Sequence, residues 1–128
     1  MILVDTSVWI DHLRKNDPHL QLLLLDGEVV CHPLVVGELV CGNLKNRKEI
    51  INLLQALPIV PQIEFEEYLY FVEEHKLFGK GIGYIDIHLL ASAKLSQTKI
   101  WTLDKRLKST AIELGISYKK QRKPSVGV

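Results

Sequence analysis

The sequence predicts an α/β fold in which helices cover both faces of a parallel sheet. Segments with strand character alternate with segments with helix character, an order typical of parallel strands joined by helical crossovers. The first predicted strand, at 2–5, is short and apolar at consecutive positions, as strands buried on both faces are. The length of 128 residues, 47% of them hydrophobic, suits a single domain with a substantial core.

The predicted strands are all short, mostly apolar runs, and each is followed by a helix start, a turn or a change in composition. In chain order, they are 2–5, 29–31, 59–60, 99–103 and 116–118.

The predicted helices combine apolar residues at helical spacing with recognisable boundary residues. Thr6 and Ser7 are N-cap candidates for the first helix. Asp17 begins the second helix, Pro33 lies in the first turn of the third, and Gly115 ends the last. In chain order, the predicted helices are 8–13, 17–25, 33–42, 46–56, 64–77, 84–95 and 105–114.

Several features of the composition narrow the class of protein. A signal peptide is not expected, because the N-terminus lacks a basic leader and Asp5 interrupts its first apolar run. The apolar runs are too short and too often broken by charge to span a membrane. Cys31 and Cys41 form no CxxC pair, so free thiols in a reducing cytoplasm are expected.

Four acidic residues, Asp5, Glu38, Asp86 and Asp104, lie in apolar surroundings. Asp5 and Asp104 each end a predicted strand, Asp86 opens a strongly apolar helix, and Glu38 is embedded in another. An unpaired buried carboxylate is very costly, and no Lys or Arg stands beside the acids in these apolar runs. The pattern indicates that the four acids share a cation.

The predicted fold can bring these acids together. In open parallel sheets, ligands bind beyond the carboxyl ends of strands, near a switch in strand order, and Asp5 and Asp104 lie at such ends. We expect Glu38 and Asp86 to face inward, because their neighbours at helical spacing are apolar. These neighbours are Leu34, Val35 and Cys41 for Glu38, and Leu89, Leu90 and Ala93 for Asp86.

For each aspartate taken alone, a structural role explains its position as well. Asp5 and Asp104 can cap the helices that follow them, and Asp86 can interact with the dipole of its helix. Glu38 is harder to explain in this way, because an acid in the middle of a helix has no free backbone N–H from which to accept a hydrogen bond. As a set, the four acids favour one metal-binding pocket.

An all-carboxylate pocket selects Mg²⁺ or Mn²⁺ over zinc, which favours His and Cys. The five histidines show no ligand spacing toward these acids, so surface or structural roles are expected for them. They are His12, His19, His32, His75 and His88.

The charge balance suits a polyanionic partner. Net charge is +1, but without the four acids 16 basic residues face 11 acidic ones, a balance of +5. A solvated surface explains each basic cluster alone, whereas a basic surface around an acidic metal pocket suits a polyanion that bridges to the metal. The clusters lie at 14–15, 45–48, 105–108 and 119–123.

Other nucleotide-related classes fit less well. The turn after the first strand carries no GxGxxG motif, and the glycine-rich loop at 79–83 lacks the upstream strand and GK[ST] ending of a P-loop. A phosphatase that uses Asp5 as nucleophile remains an alternative, and trapping a phosphorylated Asp5 would identify it.

Four motifs in this order resemble those of PIN-domain ribonucleases of the VapC toxin type. They are DTSVWID at 5–11, PLVVGEL at 33–39, GYIDIHLLASA at 83–93 and WTLDKRL at 101–107. Each motif alone is weakly specific, but their combination is specific, and the resemblance extends from residue 2 to about residue 118.

The resemblance implies a three-layer α/β/α sandwich with a mainly parallel central sheet. It implies a PIN-like nuclease domain at 1–118, followed by a basic C-terminal tail at 119–128. The implied activity is that of a Mg²⁺- or Mn²⁺-dependent endoribonuclease, the toxin of a toxin–antitoxin pair. The implied metal-binding and catalytic residues are Asp5, Glu38, Asp86 and Asp104, supported by Thr6, Ser7 and Thr102.

The same resemblance implies three partners. They are an RNA substrate, a second copy in a homodimer, and a VapB-like antitoxin whose tail blocks the acidic pocket. A catalytically silent PIN-like scaffold that binds RNA or protein is the alternative from a non-enzyme class, and a nuclease assay distinguishes the two.

Overall fold

The computed structural model describes residues 1–120. Within this range, successive strands are connected by helices, as the sequence predicts. The elements are β1 (Ile2–Val4), α1 (Thr6–Lys15), α2 (Pro18–Leu25), β2 (Val29–Val30), α3 (Pro33–Val40), α4 (Arg47–Ala56), α5 (Phe65–Glu74), α6 (Tyr84–Ser96), β3 (Lys99–Trp101) and α7 (Lys105–Glu113). Of the predicted basic tail, residues 121–128 lie outside the described residues.

The strands form one parallel sheet in the order β2-β1-β3. Leu3, in the central strand, lies opposite Val30 on one side and Ile100 on the other. Leu3 and Val4 have no exposed surface. A strand that is paired at both edges and covered on both faces has no side facing water, which explains its continuous apolarity. The predicted α/β class with a parallel sheet is confirmed.

Two single parallel bridges extend the sheet at its edges. Ile59 pairs with Cys31 beyond β2, and Ser117 pairs with Ile100 beyond β3. The strands predicted at these two edges are therefore reduced to bridges. At the first, prolines flank 59–60 on both sides, and they lack the N–H groups that a longer ladder needs.

Strand order reverses at β1, because the chain adds β2 on one side of it and β3 on the other. The carboxyl ends of β1 and β3 are adjacent, since Val4 pairs with Trp101. The N–H of Asp5 donates to the carbonyl of Trp101 at 2.9 Å. In open parallel sheets the ligand crevice lies at such a reversal, so the fold places a candidate site beyond Val4 and Trp101.

The helix α6 is the most deeply buried helix among residues 1–120. All of its residues from Ile87 to Ala93 are buried, as expected of a helix that is packed on several sides. It contacts α5 and β3. Nowhere in residues 1–120 is a helix long and apolar enough to cross a membrane.

Asp17 caps α2, with Oδ1 accepting from the N–H groups of His19 at 2.9 Å and Leu20 at 3.2 Å. We expect Asp17→Ala to lower the free energy of unfolding by about 1 kcal/mol, the usual cost of losing an N-cap. Asp17→Asn should retain most of this stability, because asparagine also caps. Urea denaturation measures both. Equal losses would show that the charge, 4.0 Å from Lys120 Nζ, matters more than the cap.

Candidate active site

The helix α1 begins at Thr6, earlier than predicted, so Thr6 and Ser7 lie in its first turn and do not cap it. Asp5 occupies the N-cap position. Within residues 1–120, however, its side chain makes no capping hydrogen bond. The capping role considered for Asp5 is therefore wrong, and its carboxylate is held by other groups.

Two hydroxyl groups hold the buried carboxylate of Asp5, which is 5% exposed. Ser7 Oγ donates to Asp5 Oδ2 at 2.8 Å, and Thr102 Oγ1 donates to the same oxygen at 2.7 Å. Oδ1 accepts no hydrogen bond from residues 1–120. Asp5 thus has one oxygen fixed and one available to a ligand.

Both hydroxyl groups are themselves oriented by the backbone after β3. Ser7 Oγ accepts from the N–H of Leu103 at 3.0 Å, and Thr102 Oγ1 accepts from the N–H of Asp104 at 3.0 Å. Because a hydroxyl has a single proton, accepting from the backbone leaves that proton directed at Asp5. The network joins the first turn of α1 to the loop before α7.

Glu38 is exposed and accepts from Thr6 Oγ1 at 2.7 Å. The expectation that it faces inward beside Leu34, Val35 and Cys41 is wrong, because Cys41 is also exposed and only Val35 is fully buried. Successive residues are about 100° apart around a helix, which places Glu38 at the edge of the buried stripe marked by Val35 and Leu39. Glu38 therefore reaches the crevice from the rim.

Asp104 is exposed as well and caps α7, with Oδ1 accepting from the N–H of Leu107 at 3.0 Å. Its capping role, considered from the sequence, is therefore confirmed. Oδ2 accepts no hydrogen bond from the described residues, so capping leaves one oxygen of Asp104 free. Its backbone N–H bonds Thr102, which places Asp104 next to the Asp5 network.

Asp86 lies in the first turn of α6 and is half-buried. Its pKa is raised from 3.8 to about 6, first by burial and then by the negative charges of Asp5 and Asp104, with a smaller contribution from Glu38. The other three acids therefore lie within electrostatic range of Asp86. None of the salt bridges among residues 1–120 includes any of the four acids, so no lysine or arginine of the described residues forms an ion pair with them.

The donor set of the crevice fits a hard cation better than zinc. Among residues 1–120, no three His, Cys, Asp or Glu side chains lie close enough together to enclose an ion, so these residues form no closed site of the zinc type. Mg²⁺ has a different requirement, since proteins bind it through one or two carboxylates and leave water in the other positions. The free oxygens of Asp5 and Asp104, beside Asp86, fit a hard cation of this kind.

Two histidines near α6 have structural roles, as predicted. His32 and His88 are buried, and burial lowers the pKa of both, that of His32 to about 4. His32 Nδ1 accepts from the N–H of Leu34 at the start of α3, and His88 stacks on Tyr68. Both rings are therefore neutral packing groups.

The fold and the site together define the class of this domain, a parallel α/β sheet with acidic side chains gathered where the strand order reverses. Residues 2–113 match the PIN domain family. This range covers most of the chain, and the chain therefore belongs to the PIN domain family.

Two relatives place the chain more narrowly within this family. Both are named Ribonuclease VapC32, from Mycobacterium tuberculosis strains CDC 1551 / Oshkosh and ATCC 25618 / H37Rv. Each is 46% identical over 118 residues, which cover 91% of this chain and 95% of the relative. The resemblance to VapC-type PIN-domain ribonucleases is confirmed.

Proposed function

We propose that this protein is a divalent-metal-dependent endoribonuclease and the toxin of a toxin–antitoxin pair. The observation that carries the proposal is the group of four acids at the strand reversal, where burial and mutual repulsion raise the pKa of Asp86 to about 6. Repulsion of this kind is relieved by a bound cation. The ribonuclease names of the two relatives support RNA as the substrate.

Asp5 and Asp86 are the first candidates for direct metal ligands, and Glu38 and Asp104 bind directly or through water. When bound, Mg²⁺ or Mn²⁺ lowers the pKa of a water molecule and places positive charge beside the phosphate. The chain's own contribution is orientation, because Ser7 and Thr102 fix one oxygen of Asp5.

The start of α1 supplies backbone groups that can bind phosphate. Because the Asp5 carboxylate does not cap this helix, the N–H groups of Thr6 and Ser7 find no partner in residues 1–120. Free N–H groups at a helix N-terminus bind phosphate oxygens well. These two groups lie beside the acids, so they can hold the phosphate of an RNA strand while the acids hold the cation.

The partners proposed from the resemblance are a second copy of the chain and a VapB-like antitoxin. An apolar groove between α5 and α6, lined by Tyr70, Phe71 and Leu95, supports a protein contact, since exposed apolar patches commonly mark interaction sites. We place the activity in the cytoplasm, in line with the free thiols of Cys31 and Cys41.

The test uses purified protein and a labelled single-stranded RNA of mixed sequence. We expect cleavage into shorter fragments with millimolar Mg²⁺ or Mn²⁺, and none with a chelator. The same metals should raise Tm, because a ligand that binds only the folded state stabilises it. The effect is about 2.7 kcal/mol at a hundredfold excess over Kd.

Two outcomes would contradict this function. RNA that binds but stays intact with either metal would indicate the silent scaffold. A phosphorylated Asp5, trapped after incubation with a phosphomonoester, would indicate the phosphatase instead.

A further inference from the structure

A polar cavity lies beside the candidate active site, also next to the carboxyl end of β3. It occupies about 290 Å³ between β3 and the bridge segment 116–118. Thr102 lines this cavity and also donates to Asp5 at 2.7 Å. The cavity, called here the β3 pocket, therefore shares a wall with the acidic site.

Aromatic rings form the floor of the β3 pocket. Trp101 and Tyr118 line it, with ring centroids 5.8 Å apart. His19 stacks on Tyr118 at 5.8 Å and meets Trp101 edge-on at 5.4 Å. His19 Nε2 also hydrogen-bonds the Tyr118 hydroxyl, so the rings are held in place by one another.

Two lysines complete the wall of the pocket. Lys120 Nζ lies over the Trp101 ring at 5.0 Å. Asp17 Oδ2 lies 4.0 Å from Lys120 Nζ, and Oδ1 of the same carboxylate caps α2. Lys108 lines the pocket and forms no salt bridge within residues 1–120. The pocket therefore combines positive charge with aromatic surface.

Positive charge next to aromatic rings is the combination by which proteins hold single-stranded nucleic acid, with lysines on the phosphates and rings against the bases. Lys120 is 54% exposed, and its flexible side chain can turn from its position over the buried Trp101 ring to a phosphate. An anion drawn to the lysines would lie beside the acids, because Thr102 lines the pocket and also donates to Asp5.

We propose that the β3 pocket binds a nucleotide of the RNA strand that flanks the bond being cleaved. Lys108 and Lys120 contact its phosphate, and the partly exposed Tyr118 contacts its base. The buried Trp101 ring, 7% exposed, lies behind Tyr118 as the floor of the site. The assignment rests on the proposed ribonuclease function and adds to it a subsite that positions the strand.

The test compares the double variant Lys108→Ala/Lys120→Ala with the control variant Lys99→Ala. Lys99 lies at the amino end of β3, at the other end of the strand from the acidic site. Binding of a labelled single-stranded RNA is measured by anisotropy with a chelator present, and cleavage with Mg²⁺ or Mn²⁺. We expect the double variant to bind roughly tenfold more weakly and to lose about one unit of salt slope per lysine. KM should rise with kcat nearly unchanged, and Lys108→Arg/Lys120→Arg should restore binding.

Binding and KM of the double variant equal to those of Lys99→Ala would overturn the subsite. So would a loss of kcat alone, since that would place the lysines in the chemistry or the folding of the site. If the wild type binds RNA but never cleaves it, the proposed function fails. RNA binding measured with the chelator present still decides whether the pocket holds RNA.

Discussion

Replacement of Asp86 by asparagine is expected to lower the kcat of RNA cleavage by roughly 10³-fold while the fold is retained. Metal-derived stabilisation of a transition state amounts to several kcal/mol, and each 1.36 kcal/mol corresponds to about tenfold in rate. The asparagine side chain would keep the shape of the aspartate but not its charge. Asp5→Asn should have a similar effect. Cleavage of a labelled RNA under saturating substrate measures kcat.

The same substitution should stabilise the metal-free protein, by about 1–2 kcal/mol above pH 6. The pKa of Asp86 is raised from 3.8 to about 6, and one pKa unit is worth about 1.4 kcal/mol before solvent screening at a half-buried site reduces it. The ionised wild-type carboxylate is therefore destabilising above pH 6. This penalty disappears as the pH falls from 6 to 4, where the folded state binds the proton first.

The matched control for Asp86→Asn is Asp26→Asn. Asp26 is an exposed acid at the end of α2, just before the amino end of β2, so the same chemical change occurs away from the crevice. We expect wild-type cleavage and an unchanged Tm shift with metal. Wild-type cleavage by Asp86→Asn, or an unaltered stabilisation of that variant by Mg²⁺ and Mn²⁺, would remove Asp86 from the site.

Loss of the Thr102 hydroxyl is expected to have the second-largest effect. Thr102→Val keeps the shape but removes the donor to Asp5 and the acceptor of the Asp104 N–H. Groups that orient metal ligands typically contribute 10- to 100-fold to metal affinity or activity, so we expect a loss of roughly that size. A buried group left without a partner costs about 1–3 kcal/mol, so the free energy of unfolding should fall as well.

Thr102→Ser separates orientation from packing, because it restores the hydroxyl and removes only the methyl group. It should recover most of the activity. Thr110→Val is the control, since Thr110 is also buried and donates to a carbonyl, that of Arg106, on the outer helix α7. The metal concentration at half-maximal cleavage should rise in Thr102→Val alone. The same rise in Thr110→Val would indicate general destabilisation.

Local patterns were sufficient to predict the fold class, because the periods of helices and buried strands are properties of short segments. The continuous apolarity of 2–4 reflects a strand paired at both edges, and that signal is visible without the rest of the chain. The extents of the edge strands were not predictable in this way. Whether 116–118 forms a strand or a single bridge depends on its partner Ile100, which lies elsewhere in the chain.

The candidate acids illustrate the same limit. Their identity follows from carboxylates that interrupt apolar runs, but their burial does not. Asp5 is buried, Asp86 is half-buried, and Glu38 and Asp104 are exposed. Glu38 has apolar neighbours at helical spacing, yet only Val35 and Leu39 of α3 are buried. How much of the apolar face is covered depends on which elements pack against α3, and Glu38 lies at the edge of that covered stripe.

Sequence alone thus predicted the α/β class, the family resemblance and the four candidate acids, because each is encoded within contiguous stretches of chain. The order of the strands, the hydroxyl network and the β3 pocket required the folded chain. Thr102 and Asp5 are 97 positions apart, and Lys120 reaches Trp101 only because segment 116–118 pairs with β3. Contacts between distant positions arise from packing of the whole domain, and no local pattern contains them.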